Sequence, residues 1–204
     1  MASSREVGLA SLEKNAKDMH KVTLGLLKRA LDLVVVRDSE ERERLLREIE
    51  DEVALLDVLK RTSTEAILVF AMRYQPLGKD FKWVHSLLGV VYDMFRIGRY
   101  CREIALADRY ISRLSGETLR DLREAVELAI EAYENAYRAF FEGCSSCVDV
   151  VKEMDSRVDK LYLGLLKEVG SVEVVPNTAV AKTLVLRHIE RIVDHAVNIA
   201  LSDP

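Results

Sequence analysis

Near the C-terminus, Glu190 and Asp194 stand four residues apart in Leu186-Arg-His-Ile-Glu190-Arg-Ile-Val-Asp194-His-Ala-Val-Asn198-Ile-Ala200. On a helix that spacing points both carboxylates the same way, one turn apart. Asp155 and Asp159 repeat it in Glu153-Met-Asp155-Ser-Arg-Val158-Asp159-Lys-Leu161-Tyr162. At a helical turn of about 100° per residue, Asp155 and Asp159 fall near Tyr162 and Leu166, at the edge of an apolar stripe. Glu190 and Asp194 likewise flank Ile189, Ile192, Val193, Ala196 and Ile199. Paired acids on a packed helix are costly unless positive charge sits against them. If the two helices pack antiparallel, all four carboxylates meet at one groove. That is an oxygen-rich site for a hard cation such as Mg²⁺, Mn²⁺, Ca²⁺ or Fe³⁺. The competing reading is a salt-bridged face neutralised by Arg157, Lys160, Arg187 and Arg191.

Other reactive residue types point to less. His188 and His195 lie on one side of the last helix, rotated by more than about 90° from Glu190 and Asp194, and read as partly buried or surface histidines. Cys144-Ser-Ser-Cys147 is a C-x-x-C at the start of a helix, where a thiol is acidified and can serve redox chemistry or half a zinc site. No second C-x-x-C, histidine pair or βαβ pattern accompanies it. Three cysteines, an odd number, do not predict a disulfide framework. Cys101 falls on an apolar helical face, as a core residue does. Phe81, Trp83, Tyr133, Tyr137 and Tyr162 are spaced as core or groove lining. There is no nucleophile–base pair, phosphate-cradling glycine loop or G-x-G-x-x-G, so the chain reads as a non-enzyme.

Six helices must position these groups. Leu12, Met19, Leu26, Leu27, Ala30, Leu33 and Val34 recur at helical spacing and predict a first helix over residues 9–37. Asp38-Ser-Glu-Glu41 has the capping-box pattern, opening a second helix that reaches Tyr74 before Pro76 and Gly78. The run Arg37–Arg44 reads as the capped, solvated first turn of that helix or equally as a docking surface. Asp80 is the expected cap of a third helix, carrying Trp83, Leu87, Leu88, Val91, Met94 and Ile97 to about Leu114. After Ser115-Gly116, Thr118-Leu-Arg-Asp121 repeats the capping pattern, and the fourth helix ends at Gly143. Ser145 or Ser146 is the expected cap of the fifth. Residues 170–176 form a loop, and Asn177 is the expected cap of a sixth helix ending near Leu201.

Composition agrees with a helical, globular chain. Of 204 residues, 49% are apolar and 31% charged, with nine Gly and three Pro, which leaves little for turns. A net charge of −4 argues against a nucleic-acid partner. No apolar run approaches the roughly 18 residues of a membrane span, and no signal-peptide core opens the chain, so a cytoplasmic protein is expected. Gln75 is the only glutamine beside abundant Glu, Lys and Arg, a thermophile-like bias.

The six helices look like a duplication. Phe95-Arg-Ile-Gly-Arg99-Tyr-Cys-Arg-Glu-Ile104-Ala105 aligns with Glu190-Arg-Ile-Val-Asp194-His-Ala-Val-Asn-Ile199-Ala200, with Arg96/Arg191, Ile97/Ile192, Ile104/Ile199 and Ala105/Ala200 identical. The expected fold is all-α, two tandem antiparallel three-helix bundles spanning residues 1–114 and 115–204.

Asp155-x-x-Val-Asp159 followed by Glu190-Arg-Ile-Val-Asp194-His-Ala-Val-Asn198-Ile-Ala closely resembles the second repeat of the PhoU family of phosphate-uptake regulators. Gln75-Pro76-x-x-x-Asp80 and Asp93-Met-Phe-Arg-Ile-Gly98 resemble its first repeat. The resemblance implies a six-helix duplication holding metal, including multinuclear iron clusters, on acidic E/D-x-x-x-D motifs; Mg, Mn or Zn are other candidates. It implies a cytoplasmic regulator, at the membrane only through partners, that links a phosphate-transporter ATPase to a sensor kinase. A homodimer is expected. In the second repeat the four family positions are Asp155, Asp159, Glu190 and Asp194. Their first-repeat counterparts are Val53, Asp57, Phe95 and Arg99, so one metal site is expected, in the C-terminal half. Alternatives are a PhoU-like subunit of another ion transporter and a helical scaffold without metal. A ferritin-like di-metal enzyme would need Glu-x-x-His, which no histidine here has.

Overall fold

The computed structural model describes residues 3–36, 38–111 and 118–202. They form six helices: α1 Ser4–Val35, α2 Ser39–Tyr74, α3 Lys79–Tyr110, α4 Thr118–Glu142, α5 Ser145–Gly170 and α6 Asn177–Leu201. The chain is all-α, as expected, and α1–α3 and α4–α6 each pack as a three-helix bundle. The bundles meet along two seams, α1 on α4 and α3 on α6, which leaves α2 and α5 on the outside. The expected division at residues 114/115, the Leu114 end of the third helix and the Ser115-Gly116 break lie outside the described residues. Residues 171–176 are loop, as expected.

Several helix ends differ from expectation. The first helix starts five residues earlier than the spacing predicts, because Ser3 and Glu6 form a capping box there, each side chain bonding the other's backbone N–H. It ends at Val35, and Arg37 lies outside the described residues. Asp38 caps α2 as expected, accepting from the Glu41 N–H at 2.8 Å. Asp80 does not cap α3. Gly78 holds that position at φ 58°, and Asp80 sits two residues further on, bonded to Arg5. Cys144, not Ser145 or Ser146, is the N-cap of α5, and Pro176 rather than Asn177 precedes α6. In each case the polar residue lies inside the first turn, where it no longer reaches the open N–H groups.

The reading of Arg37–Arg44 as a solvated turn also needs correction. Arg42 is buried at 7% exposure and ion-paired to Asp108 on α3, itself 4% exposed. Its Nη1 also donates to the carbonyls of Leu33 and Val36, both at 2.9 Å. One guanidinium therefore closes the C-terminal end of α1 and ties α2 to α3.

The apolar positions picked by periodicity fill one continuous core running through both bundles. Leu12, Met19, Leu26, Leu27, Ala30, Leu33 and Val34 are all buried. Phe81, expected as core or groove lining, is instead exposed at the α2–α3 end. Gly98 sits where α1, α2 and α3 converge. A Cβ there would fall inside van der Waals contact of Leu56 Cδ2 and 3.1 Å from Leu26 Cδ1. Gly98→Ala should therefore lose about 1–2 kcal/mol by overpacking, although alanine favours a helix intrinsically. Urea unfolding followed by circular dichroism reads this, and a gain in stability would contradict the close approach.

Candidate functional site

Helices α5 and α6 pack side by side and bring the two acid pairs together. Asp155 feels the charges of Asp159 and Asp194, and Glu190 feels those of Asp194 and Asp159. Burial first, and then these neighbouring carboxylates, push the carboxyls of Asp155 and Glu190 above their ordinary range. Asp155 and Asp194 line a groove of about 270 Å³ with Arg191, His195, Val197 and Asn198.

Two of the four acids are held by arginines on their own helix. Arg187 Nη1 donates to Glu190 Oε1 at 2.5 Å, and Arg191 Nη1 to Asp194 Oδ2 at 2.6 Å. Arg187 also stacks over the Tyr162 ring at 5.5 Å. Arg157 turns instead to Glu124 on α4. The other Glu190 oxygen, Oε2, is buried without a hydrogen-bond partner. As the side chains stand, no three His, Cys, Asp or Glu groups among the described residues converge at metal-binding distance. The donor chemistry suits a hard cation, and Glu190 Oε2 is available to one. Arg187 and Arg191 occupy Glu190 Oε1 and Asp194 Oδ2, which a cation would compete for.

A carboxyl raised above its ordinary pKa binds protons more readily folded than unfolded. Its charge therefore costs stability at neutral pH, and the cost disappears as pH falls below the unfolded pKa. Asp155→Asn should stabilise metal-free protein at pH 7 by at most about 1 kcal/mol, because the group is only partly buried and water screens its neighbours. Melts with chelator at pH 7 and pH 3.5 measure it; a gain that persisted at the lower pH would not be electrostatic.

The corresponding first-repeat positions are also juxtaposed. Val53, Asp57, Phe95 and Arg99 line a groove of about 270 Å³ with Glu50, Ala54 and Arg102. Asp57 is paired with Arg61 at 3.5 Å, and the Lys60 ammonium lies 5.8 Å from the Phe95 ring centroid. One acid of four remains there, with an arginine in place of another.

Sequence reasoning missed what lies between the repeats. His195 Nδ1 is 2.7 Å from Asp93 Oδ1 on α3, and both side chains are nearly buried. Tyr100 stacks on both His195 and His188, and its hydroxyl contacts Arg96 at 2.6 Å and Arg191. Residues 93 and 100 thus meet 195 and 188 in reverse order, so α3 and α6 run antiparallel across a pseudo-two-fold axis. A signal was present: Asp93 is an acid on the buried face of its helix, next to Met94 and Ile97. His188 is half-buried, and burial lowers its pKa.

The C-x-x-C is also not as expected. Cys144 and Cys147 form a disulfide, which removes the half-zinc-site reading for this state. Cys101 is buried, as expected, and burial pushes its thiol pKa up.

The arrangement is that of a helical tandem with an acidic groove on one repeat. A family model described as PhoU domain matches residues 16–107 and again residues 122–202, and the chain belongs to that family. A phosphate-specific transport system accessory protein PhoU homolog from Xylella fastidiosa is 25% identical over 187 residues, covering 89% of this chain and 77% of its own. The corresponding homolog 1 of Methanothermobacter thermautotrophicus is 25% identical over 201 residues, covering 94% and 89%. The fold matches the crystal structure of PhoU from Pseudomonas aeruginosa with a TM-score of 0.82 at 19% identity, over 95% of this chain and 94% of that one. The phosphate transport system regulatory protein PhoU from Streptococcus pneumoniae gives the same TM-score at 18% identity, over 97% and 93%. Among the described residues, no helix is long and apolar enough to cross a membrane.

Proposed function

We propose that this chain is a cytoplasmic regulator of phosphate uptake, a metal-binding adaptor between a phosphate transporter's ATPase and a signalling partner such as a sensor kinase. The reading is supported by family membership across both repeats, together with the names of relatives as accessory proteins of phosphate-specific transport. Those names favour phosphate over other ions as the transport system served. The observation that carries the site is the α5–α6 groove, where Asp155, Asp159, Glu190 and Asp194 repel one another and Glu190 Oε2 lacks a partner. A bound cation would supply the missing positive charge. The four carboxylates would hold it and so fix α5 against α6, and the outer helix faces would meet the partners.

A second reading is favoured by the Arg187–Glu190 and Arg191–Asp194 pairs: a scaffold whose acids are already neutralised. Elemental analysis of protein purified without chelator separates the two. The adaptor reading expects metal in the wild type and its loss on replacing Asp155, Asp159, Glu190 and Asp194 by alanine, together with loss of phosphate-responsive signalling. Unchanged metal content and signalling would rule it out. A second cluster per chain would contradict the single-site expectation, since the first-repeat groove offers Val53, Phe95 and Arg99 where carboxylates are needed.

A further inference from the structure

The Cys144–Cys147 disulfide lies within the first turn of α5, and nothing in the adaptor reading uses it. It contributes little to holding the fold. Its ring spans four residues, and the Cys147 N–H already bonds the Cys144 carbonyl at 3.1 Å. A cross-link over so short a loop removes little freedom from the unfolded chain, whereas a structural disulfide gains by closing a long one.

Its surroundings suit reaction. The two sulfurs are unequal: Cys147 is 3% exposed, whereas Cys144 is partly exposed at the N-cap, flanked by exposed Gly143, Ser145 and Ser146. Cys144 makes no side-chain capping bond, so the open N–H groups of the first turn still lack that partner. The Ser146 hydroxyl lies 3.6 Å from Cys144 Sγ, placed to donate to it. No carboxylate occupies the first turn to oppose negative charge there. A thiolate at Cys144 would take the role of a capping oxygen, facing the positive end of a 26-residue helix.

We propose that Cys144–Cys147 is a reversible thiol–disulfide exchange site, opened by a low-molecular-weight thiol. A thiolate RS⁻ attacks Cys144 Sγ. The Cys144–Cys147 bond breaks, and its electron pair leaves on Cys147, which takes up a proton. A second RS⁻ attacks the R sulfur of the mixed disulfide and releases RSSR, with Cys144 leaving as the helix-stabilised thiolate. Two thiols are oxidised to one disulfide, and the protein disulfide is reduced to two thiols.

The test equilibrates the full chain with glutathione and oxidised glutathione at a series of ratios. Thiols are counted by maleimide labelling after acid quench and denaturation, with circular dichroism on parallel samples. The expected count moves reversibly between one (Cys101) and three per chain, while the helical signal stays constant. In single-substitution comparisons, with the buried Cys101 present in both, Cys147→Ser should take up glutathione at Cys144 at least about tenfold faster than Cys144→Ser does at the buried Cys147. Thiols that appear only as helix is lost, failure to reoxidise, or equal rates for the two variants would each overturn the proposal.

Discussion

Replacing Asp108 by alanine is expected to destabilise the protein by about 3–5 kcal/mol, because it breaks a buried ion pair by removing one of its members. Arg42 and Asp108 are 7% and 4% exposed, so water cannot replace the lost partner without opening the α2–α3 contact. The same guanidinium bonds the Leu33 and Val36 carbonyls, so the change also reaches the C-terminal end of α1. For a protein of typical stability, roughly 5–15 kcal/mol, this is a large share of the total. Denaturant titrations should show a fall in midpoint with little change in slope. The double variant Arg42→Met/Asp108→Leu should recover part of the loss, since an apolar pair of similar volume strands no charge. A loss under about 1 kcal/mol for Asp108→Ala would mean that Arg42 is solvated in the native state.

The second large effect concerns acid. His20 lies on the α1–α4 seam, stacked on Tyr137 at 3.9 Å and close to Tyr133 at 5.0 Å, with its Nδ1 buried and unbonded. Burial, and then the charges of Lys21 and Lys28, lower its pKa to about 4. The folded state thus holds His20 neutral while the unfolded chain binds a proton near pH 6.5. Its contribution is intact above pH 6.5 and is lost as pH falls towards 4, a loss on the order of 3 kcal/mol. His20→Leu should remove that component. The comparison is made between variant and wild type at each pH, because Asp155 and Glu190 drive stability the opposite way over the acid range. A His20 ring resonance titrating at or above pH 6.5 by NMR would end this account.

Much of the fold was legible because amphipathic helices leave a regular trace. The stripe from Leu12 to Val34 and the breaks at Pro76, Gly78 and Gly143 placed the elements to within a few residues. Caps were less legible. Asp80, Ser145 and Asn177 are good capping residues by type, yet a one- or two-residue shift in where the turn begins decides whether their oxygens reach the N–H groups. The facing of the two acid pairs followed from four-residue spacing plus antiparallel packing. Nearby arginines are natural neutralisers of these acids, but spacing alone does not say that Arg187 and Arg191 pair while Arg157 turns to Glu124. The contacts Asp93–His195 and Arg42–Asp108 join residues 102 and 66 positions apart, and periodicity within one helix carries no information about such pairs. The Cys144–Cys147 bond was hidden by counting cysteines for a framework, when the pair lies within a single helical turn.

The antiparallel seam between α3 and α6 also bears on mate choice. Because the seam is pseudo-symmetric, each repeat presents a surface that a second copy of itself could meet in the same way. Two first repeats so joined would set Asp93 against Tyr100, and two second repeats would set His188 against His195. Only the mixed pairing gives the carboxylate–imidazole contact of Asp93 and His195 with aromatic stacking of Tyr100 on His188. Divergence at these four positions therefore discriminates against like-with-like assembly and favours the joining of a first repeat to a second.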